Sequence, residues 1–310
     1  MVTYRDFFTT FRRLEIDHTR PVIVHAALSA FGEVHGGAEA VLGALLGSFD
    51  TVVMPTFTYT PMIIPEVGPP DNGITYGSGK DTNRMAEFFS PELPADRLMG
   101  ALPEALRRRP NAQRSTHPLL SFAAVSTHPA AAHAILSAQS LDEPLGPIHE
   151  LRQEFGWVLL LGVDHTVNTS IHYAERLAGR MQFVRWALTP QGILECPAFP
   201  GCSDGFQAIS PRLNGIARQV QLGASAVTAV PLFALTEIVV AMIAADPQAL
   251  LCERLRCERC GACEEACVAD ARELVGREMT VGEVMSEVER DLPFYEESGG
   301  GVTLSGGEPL

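Results

Sequence analysis

The chain has 310 residues, of which 46% are hydrophobic and 19% charged, with a formal net charge of -14. This composition excludes disorder for most of the chain and suffices for one large core with a small appendage. The longest apolar stretch near the C-terminal third, residues 234–245, is interrupted by Glu237 and is too short to cross a bilayer core of about 30 Å. The first 21 residues lack the apolar run of a secretory signal. We therefore expect a cytoplasmic protein without a membrane partner.

The acidic charge is concentrated near the C-terminus. Residues 1–251 contain 17 basic and 23 acidic side chains, whereas residues 252–310 contain 6 and 14. The larger part of the chain is thus only mildly acidic, and affinity for a cationic ligand there must come from local carboxylates. Because the sequence has no basic patch with interleaved aromatic residues, nucleic acid is not an expected partner. Nothing in these counts indicates an oligomeric state.

Strand-like and helix-like patterns alternate up to residue 250, which predicts an α/β domain with a mixed central sheet flanked by helices. Residues 60–82 are rich in Pro and Gly and predict a long functional loop or flap. The predicted elements are, in chain order, a helix at 4–14, a strand at 22–28, a helix at 38–49, a strand at 52–58, a helix at 99–109, a strand at 120–125, a helix at 129–137, a strand at 157–163, a helix capped by Asn168 and running to about 177, hairpin strands at 182–188 and 192–196, and helices near 204–217 and 231–245.

The first candidate site is the segment HAALSAFGEVHGG, residues 25–37, which leaves a predicted strand and opens a helix through Gly36 and Gly37. Such a turn frees backbone N–H groups at a helix N-terminus, where a phosphate or pyrophosphate can bind. An ordinary glycine-containing turn is the alternative interpretation, and the residues alone leave both open.

The second candidate is NTSIHYAE, residues 168–175, which follows a strongly apolar strand and the turn at Asp164 and His165. On a helix, His172 and Glu175 share one face, so the carboxylate can orient the imidazole as a general base or hold a substrate ammonium group beside it. A helix that begins beyond the C-terminal end of a central strand is also where open α/β sheets place their ligands. A surface pair without function is the alternative.

The third candidate is RSTHPLLSFAA, residues 114–124, in which Arg114, Ser115 and His117 precede a strand. Pro118 biases His117 towards an extended backbone. The residues are compatible with ligand binding and equally with a histidine that satisfies backbone groups at the start of a strand.

These three segments and MPTFTYTP, in this order and spacing, resemble the aminoglycoside 3-N-acetyltransferase family over roughly residues 5–250. The resemblance is specific because four separated blocks agree. It implies an α/β fold distinct from the common GNAT acetyltransferases, and transfer of acetyl from acetyl-CoA to an amino group. A pocket for the several ammonium groups of an aminoglycoside would be expected to contain more carboxylates than the 60–82 loop has. The resemblance therefore implies an acceptor that is either an aminoglycoside or a similar amine. A coenzyme A-binding relative without aminoglycoside activity is the alternative.

The resemblance also implies roles for individual residues. His172 would be the general base, Glu175 would stabilise the imidazolium, and Thr169 or Ser170 would donate to the developing oxyanion. The residues expected to bind coenzyme A are His25, Ser29, Phe31, Gly32, Val34, Gly36, Gly37, Arg114 and His117. The carboxylates expected to bind the cationic substrate are those of Glu175, Asp204 and Asp71.

Residues 252–310 form a second predicted segment, a short acidic tail rich in cysteine. Cys257, Cys260, Cys263 and Cys267 have the C-x2-C-x2-C-x3-C spacing of ferredoxin-type iron–sulfur ligands. They could hold a 4Fe–4S cluster; zinc bound with the help of Cys252, or no metal, are the alternatives.

Residues 277–310 resemble glycyl-radical enzyme activating proteins of the radical SAM class. The C-x3-C-x2-C run that would hold the catalytic cluster of such a protein does not occur in the sequence. We therefore expect the tail to be a fragment that does not perform radical chemistry. A functional iron–sulfur protein related to the radical SAM activating proteins is the alternative.

Overall fold

The computed structural model describes residues 1–251, 280–290, 292 and 297. The chain divides into two compact units, Met1–Arg256 and Cys257–Leu310. The first unit contains ten strands: β1 Val22–Ala26, β2 Thr51–Pro55, β3 Met62–Ile63, β4 Gln113–Arg114, β5 Phe122–Ser126, β6 Trp157–Leu161, β7 Phe183–Thr189, β8 Gly192–Phe199, β9 Arg218–Leu222 and β10 Ser225–Pro231. Its α-helices are α1 Tyr4–Arg13, α2 Gly37–Ser48, α3 Lys80–Arg84, α4 Ala101–Arg107, α5 Pro129–Ser137, α6 Gly146–Gln153, α7 Thr169–Leu177 and α8 Leu232–Ala245.

Seven strands form the central sheet in the order β4-β5-β2-β1-β6-β10-β9. β1 is parallel to both of its neighbours, β2 and β6, and the remaining pairs are antiparallel. A separate antiparallel sheet has the order β3-β7-β8. The predicted mixed sheet flanked by helices is therefore confirmed.

Each face of the central sheet buries its own apolar cluster. Alternate residues of β1 point to opposite faces, so Val22 and Val24 join one cluster while Ile23 joins the other. Helices α1, α2 and α4 cover the first face, and α5 to α8 cover the second. Because His25 is two residues beyond Ile23, it belongs to the face covered by α5 to α8. The three parallel strands are buried on both faces, which accounts for their continuous apolar runs.

Several predicted boundaries need correction. The strand predicted to reach residue 28 ends at Ala26, because a 3₁₀ segment, Leu28–Phe31, follows. The strand predicted to reach residue 58 ends at Pro55, although the Thr56 N–H still donates to the Ser121 carbonyl at 2.8 Å. The helix predicted near 204–217 is a 3₁₀ segment, Phe206–Leu213, and Pro211 within it has no N–H to donate to an α-helical ladder.

The sequence interpretation missed the helix α6 and the β9-β10 hairpin. The hairpin did carry a signal, since Arg218–Leu222 alternates polar and apolar residues and Gly223 follows with a φ of 59°. The 60–82 region is partly ordered into secondary structure: it contains β3 and the start of α3.

Within the second unit, the structure describes one helix, α9 Val281–Arg290. Thr280 and Glu283 form the reciprocal hydrogen bonds of a capping box at its start, with the Thr280 N–H donating to Glu283 Oε2 at 2.7 Å. The cysteines predicted as metal ligands, Cys257, Cys260, Cys263 and Cys267, lie outside the described residues. None of the described helices has the length and apolar character needed to cross a lipid bilayer.

Candidate active site

The candidate site lies at the C-terminal edge of the parallel strands. β1 is followed by α2 on one face of the sheet, and its neighbour β6 is followed by α7 on the other face. The two turns diverge from adjacent strands, which is the arrangement of a ligand crevice in an open α/β sheet. The Ala27 N–H donates to the Leu161 carbonyl at 3.0 Å, so the two turns begin side by side.

Gly162 allows the two turns to approach each other closely. Its φ is 68°, and a Cβ added there would lie 2.7 Å from the Ala30 Cβ and 3.0 Å from the Ala27 carbonyl oxygen. A side chain at this position would therefore collide with the turn after β1 as well as strain its own backbone. Only glycine keeps the phosphate-binding candidate and the start of α7 in contact.

The turn after β1 opens into α2 without a side-chain cap. Gly36, with a φ of 78°, is the N-cap residue, and within the described part of the chain no side chain accepts from the first turn of the helix. Ser29, Gly32, Gly36 and Gly37 are exposed, while Val34 is half-buried. The Gly37 N–H donates to the Val34 carbonyl at 3.0 Å, so the N–H groups of the next two residues, Ala38 and Glu39, are the ones that remain available to an anion. Phe31 differs from these residues: it is buried, and its ring packs edge-on against Phe7 at 5.1 Å.

The turn after β6 presents a histidine–carboxylate pair. Asn168 caps α7, its Oδ1 accepting from the Ser170 N–H at 3.1 Å, as predicted. One turn into the helix, His172 Nδ1 lies 2.8 Å from Glu175 Oε2. Because a carboxylate can only accept, Nδ1 must carry the proton, and Nε2 is the nitrogen with a free lone pair. The ring of Phe206 packs edge-on against the imidazole at 4.7 Å and fixes its plane.

Glu175 is buried and both of its oxygens have partners. Oε2 faces His172, and Oε1 accepts from the guanidinium of Arg180. This geometry suits a carboxylate that orients an imidazole. Only 4% of Glu175 is exposed, so little of its surface is accessible for the predicted direct contact with a substrate. Arg180 was not singled out from the sequence, because it lies beyond the end of the helix and outside the motif.

Three more histidines lie at this edge of the sheet or beside it. Burial, with a smaller contribution from the neighbouring His165, lowers the pKa of His25 to about 3. Burial also lowers the pKa of His117 to about 4. His117 Nδ1 accepts from the backbone N–H groups of Leu119 and Leu120 at 3.2 and 3.0 Å, so its proton is on Nε2.

Some buried polar atoms of this region have no hydrogen-bond partner among the residues that the structure describes. They are Nε2 of His25, Nε2 of His117 and Oγ of Ser170. Buried polar atoms are nearly always paired, with protein, water or ligand. All three therefore retain the capacity to bind a polar group. Thr169, the first residue of α7, is likewise buried.

Arg114 is held by main-chain carbonyls. Its Nη1 donates to the Pro91 carbonyl at 2.8 Å and its Nη2 to the Thr56 carbonyl at 2.9 Å, while Nε donates to Ser121 Oγ. Burial lowers its pKa to about 10. These contacts are those of a residue that ties the segment before α4 to the sheet, and direct binding of coenzyme A by Arg114 stays a prediction.

The two remaining candidate carboxylates are exposed. Asp204 lies two residues before Phe206, the residue that packs on His172. Asp71 has a left-handed backbone with a φ of 56° and lies beside the second sheet, where the side chain of Asn72 donates to the Val184 carbonyl at 2.9 Å. Over residues 1–251 and the described part of the tail, no group of three or more His, Cys, Asp or Glu side chains is placed to hold a metal ion.

Residues 23–244 match the family model for aminoglycoside 3-N-acetyltransferases. The chain belongs to this family. The resemblance drawn from the four sequence blocks is therefore confirmed. Aminoglycoside N(3)-acetyltransferase VII from Streptomyces paromomycinus is 40% identical over 166 residues, which cover 51% of this chain and 54% of the relative. The chain thus spans about half the length of the first curated relatives that it matches.

Solved structures of the family have the same fold. Aminoglycoside acetyltransferase AAC(3)-Xa superposes with a TM-score of 0.63 at 27% identity, over 80% of this chain and 94% of that one. AAC-IIIb, solved as a binary complex with CoASH, gives a TM-score of 0.64 at 24% identity, over 79% and 97%. The predicted fold class, distinct from GNAT, is confirmed.

A separate match supports the resemblance of the tail. Over 71 residues the chain is 49% identical to the isethionate sulfite-lyase activating enzyme of Oleidesulfovibrio alaskensis. This match covers 23% of the chain and 23% of that protein.

Proposed function

We propose that the chain is an acetyl-CoA-dependent N-acetyltransferase that modifies an amino group of an aminoglycoside or a similar amine, with His172 as general base. The observation that carries the proposal is the 2.8 Å contact between His172 Nδ1 and Glu175 Oε2 at the start of α7. It fixes the tautomer in which Nε2 can accept a proton. Family membership supplies the reaction class.

The proposed reaction needs no covalent enzyme intermediate, because a thioester is already activated. The amine nitrogen attacks the acetyl carbonyl, and His172 Nε2 accepts the proton that the nitrogen loses. The C–S bond then breaks, and the departing thiolate takes a proton from the imidazolium, which restores neutral His172. Glu175 stabilises the imidazolium in between. Ser170 and Thr169 are proposed as donors to the oxyanion, which the buried Ser170 Oγ, without a partner in the described part of the chain, supports.

The turn after β1 is the proposed seat of the phosphate groups of coenzyme A. The exposure of Ser29, Gly32, Gly36 and Gly37 and the uncapped N-terminus of α2 support this assignment. His25 and His117 are neutral donors or acceptors rather than cations, since burial lowers the pKa of both far below 7. Coenzyme A as acyl carrier also agrees with the binary complex of AAC-IIIb. We propose a cytoplasmic location, because the close spacing of Cys257, Cys260, Cys263 and Cys267 suits metal thiolates of a reducing compartment better than a disulfide scaffold.

The acceptor is proposed to bind over α7, with Asp204 as the nearest exposed carboxylate in sequence to the Phe206–His172 contact. Asp71 is a second candidate ligand for an ammonium group. Aminoglycosides carry several ammonium groups, and exposed carboxylates attract such cations electrostatically.

A free-thiol assay with acetyl-CoA tests the proposal directly. The full chain is offered kanamycin-like, gentamicin-like and simple diamine acceptors, and we expect thiol release with at least one of them. Release with aminoglycosides but not with diamines supports the aminoglycoside assignment. Absence of release with every acceptor, together with measurable binding of coenzyme A by calorimetry, would instead identify a binding relative without this activity.

The tail is assigned no catalytic part in this proposal. A 4Fe–4S cluster or zinc bound by Cys257, Cys260, Cys263 and Cys267 stays a prediction. Anaerobic reconstitution followed by an ultraviolet–visible spectrum tests it, because a cluster absorbs where zinc does not.

A further inference from the structure

We infer that Arg180 is a positioning residue for acetyl transfer: it holds the carboxylate of Glu175, and through that carboxylate it fixes the orientation and tautomer of His172. This inference rests on the proposed function and extends it to a residue outside the segment NTSIHYAE, residues 168–175.

The geometry begins at the end of α7. The backbone N–H of Arg180 donates to the Glu175 carbonyl at 3.0 Å, which turns the side chain back along the helix. Its Nη1 then donates to Glu175 Oε1 at 2.5 Å, while His172 Nδ1 lies 2.8 Å from Glu175 Oε2. One carboxylate therefore receives a guanidinium on one oxygen and an imidazole on the other. Its rotation about the last side-chain bond would break both contacts.

The guanidinium itself is anchored on its far side. Nη2 of Arg180 donates to the carbonyls of Pro247 at 3.0 Å and Ala249 at 2.7 Å. These carbonyls belong to the segment after α8, so Arg180 links the end of α7 to that segment. Its side chain is 13% exposed, which is consistent with a fixed rather than a mobile guanidinium. The planar fork of arginine can reach a carboxylate and two carbonyls at once, and an ammonium group cannot reproduce that geometry.

The same segment also contacts the loop whose Phe206 packs on the imidazole. Gly205 packs against it so closely that an added Cβ would lie 2.2 Å from the Leu251 carbonyl oxygen. Phe206, the next residue, packs edge-on against His172. The segment from Pro247 to Leu251 thus contacts both supports of the base: the guanidinium that holds Glu175 and the loop that carries Phe206.

A buried carboxylate that loses one of two partners is left partly unpaired in a region of low dielectric. Without Arg180, Glu175 can rotate or pair elsewhere, and His172 loses the acceptor that keeps its proton on Nδ1. Because misplacement of a catalytic group by about 1 Å can cost on the order of 100-fold in rate, we expect kcat to fall by roughly 10- to 100-fold. The KM for acetyl-CoA should not change, since Arg180 touches none of the residues assigned to that ligand.

The first experiment compares Arg180→Met with Arg176→Met in the full chain. Arg176 is a matched control because it lies in the last turn of α7, four residues before Arg180, and pairs with a carboxylate, that of Glu143, without contacting the pair of His172 and Glu175. We expect the loss of kcat only in Arg180→Met and a partial recovery in Arg180→Lys, which keeps the charge but not the fork. An equal loss in both Met variants, or wild-type kcat in Arg180→Met, overturns the inference.

The second experiment is a double-mutant cycle with Glu175→Gln. If Arg180 acts through Glu175, Arg180→Met should lower kcat little or not at all in the Glu175→Gln background. A loss there as large as in the wild-type background means that Arg180 acts by another route, and the inference fails.

A third measurement does not depend on turnover. Long-range ¹H–¹⁵N spectra of the full chain labelled at histidine report which ring nitrogen of His172 is protonated, with His172→Gln supplying the assignment. We expect the Nδ1–H tautomer in the wild type and a mixture in Arg180→Met, or in Arg180→Lys if the Met variant does not fold. Nε2–H in the wild type, or an unchanged spectrum in the folded variant, contradicts the role of Arg180. Inactivity of the wild type with every acceptor would instead refute the proposed function while leaving this spectrum to decide on Arg180.

Discussion

The turns that follow β1 and β6 leave adjacent parallel strands, yet they are built from opposite kinds of residue. The turn after β1 contains the exposed glycines Gly32 and Gly36 and leaves the first turn of α2 without a side-chain cap in the described part of the chain. The turn after β6 buries the polar side chains of His165 and Asn168, and Asn168 caps its helix. The turn after β1 offers main-chain N–H donors to an anion. The turn after β6 uses its N–H donors in hydrogen bonds within the protein and presents an imidazole.

This difference separates two tasks that an acetyltransferase must perform. Recognition of phosphate groups needs close approach of a backbone, which side chains would obstruct. Proton transfer needs a side chain held in one orientation, which requires packing and hydrogen bonds on several sides. If the division is correct, substitutions in one turn should change binding of the acyl donor and those in the other should change the rate of transfer.

The largest effect is expected from His172→Gln. Removal of a positioned general base lowers kcat by about 10²- to 10⁴-fold. Calorimetric affinity for acetyl-CoA should stay at the wild-type value, because the residues assigned to that ligand lie in the other turn. Wild-type kcat in this variant would remove His172 from the mechanism, and a parallel loss of affinity would mean that the two turns do not act separately.

A carboxylate placed in the first turn should have the converse effect. Gly37→Asp adds a negative charge where the phosphates are proposed to bind, and we expect Kd for acetyl-CoA to rise about tenfold, equivalent to about 1.4 kcal/mol. The value of kcat at saturation should be unchanged. Gly215→Asp is the control, because Gly215 also has a positive φ, of 80°, and open space around its Cα, but lies before β9. Equal effects in the two variants would point to backbone strain.

The buried histidines beneath these turns should make the fold sensitive to acid. An unfolded histidine titrates near pH 6.5, whereas burial lowers the pKa of His117 to about 4 in the folded chain. Between these values the unfolded chain binds more protons. The stability contributed by neutral His117 is therefore complete above pH 6.5 and is lost as the pH falls, by about 1.4 kcal/mol per pH unit.

Urea unfolding at pH 7.5 and 5.0 measures this contribution. Between pH 7.5 and 5.0 the free energy of unfolding should fall in both proteins. The fall should be about 2 kcal/mol smaller in His117→Gln than in the wild type. His133→Gln, a substitution of an exposed histidine, should follow the wild type. His25 lends itself to the same comparison, because burial lowers its pKa to about 3. Identical pH dependence in His117→Gln and the wild type would contradict a buried neutral His117.

The smallest effect is expected from removal of the tail. A chain that ends at Leu251 keeps the carbonyls of Pro247 and Ala249 that hold Arg180, and its kcat should stay within about threefold of the full-length value. A chain that ends at Asp246 lacks both carbonyls and should lose roughly tenfold or more, as Arg180→Met does. Free-thiol assays on the two truncated chains, with thermal unfolding measured in parallel, make the comparison. A collapse of kcat on ending at Leu251 would show that the tail is integral to the site.

Much of this architecture could be predicted from local sequence. The apolar runs of β1 and β6 predict strands. Helices α5 and α7 begin at the predicted residues because Pro129 and Asn168 are strong start signals, and both also end where predicted. The spacing of His172 and Glu175 placed their side chains on one face, and the structure brings them to 2.8 Å.

What could not be predicted depends on contacts between distant parts of the chain. Phe31 stands in a motif that suggests a ligand contact, but its neighbour in space is Phe7, at the N-terminus. Arg114 resembles an anion ligand until the carbonyls of Pro91 and Thr56 are known to surround it. Arg180 carries no motif, and the two carbonyls that anchor its guanidinium lie 67 and 69 residues further along the chain. Such relations are set by packing and leave no periodic trace in the sequence.

The lack of a side chain at Gly162 has a consequence for the catalytic efficiency of this protein. Because the turns after β1 and β6 touch at that point, the volume of one residue governs the separation between the proposed donor site and the proposed base. A methyl group there would widen this spacing while every residue that meets a reactant stayed the same. Position 162 is thus a place where catalytic efficiency can be adjusted by geometry alone, independently of the chemistry on either side.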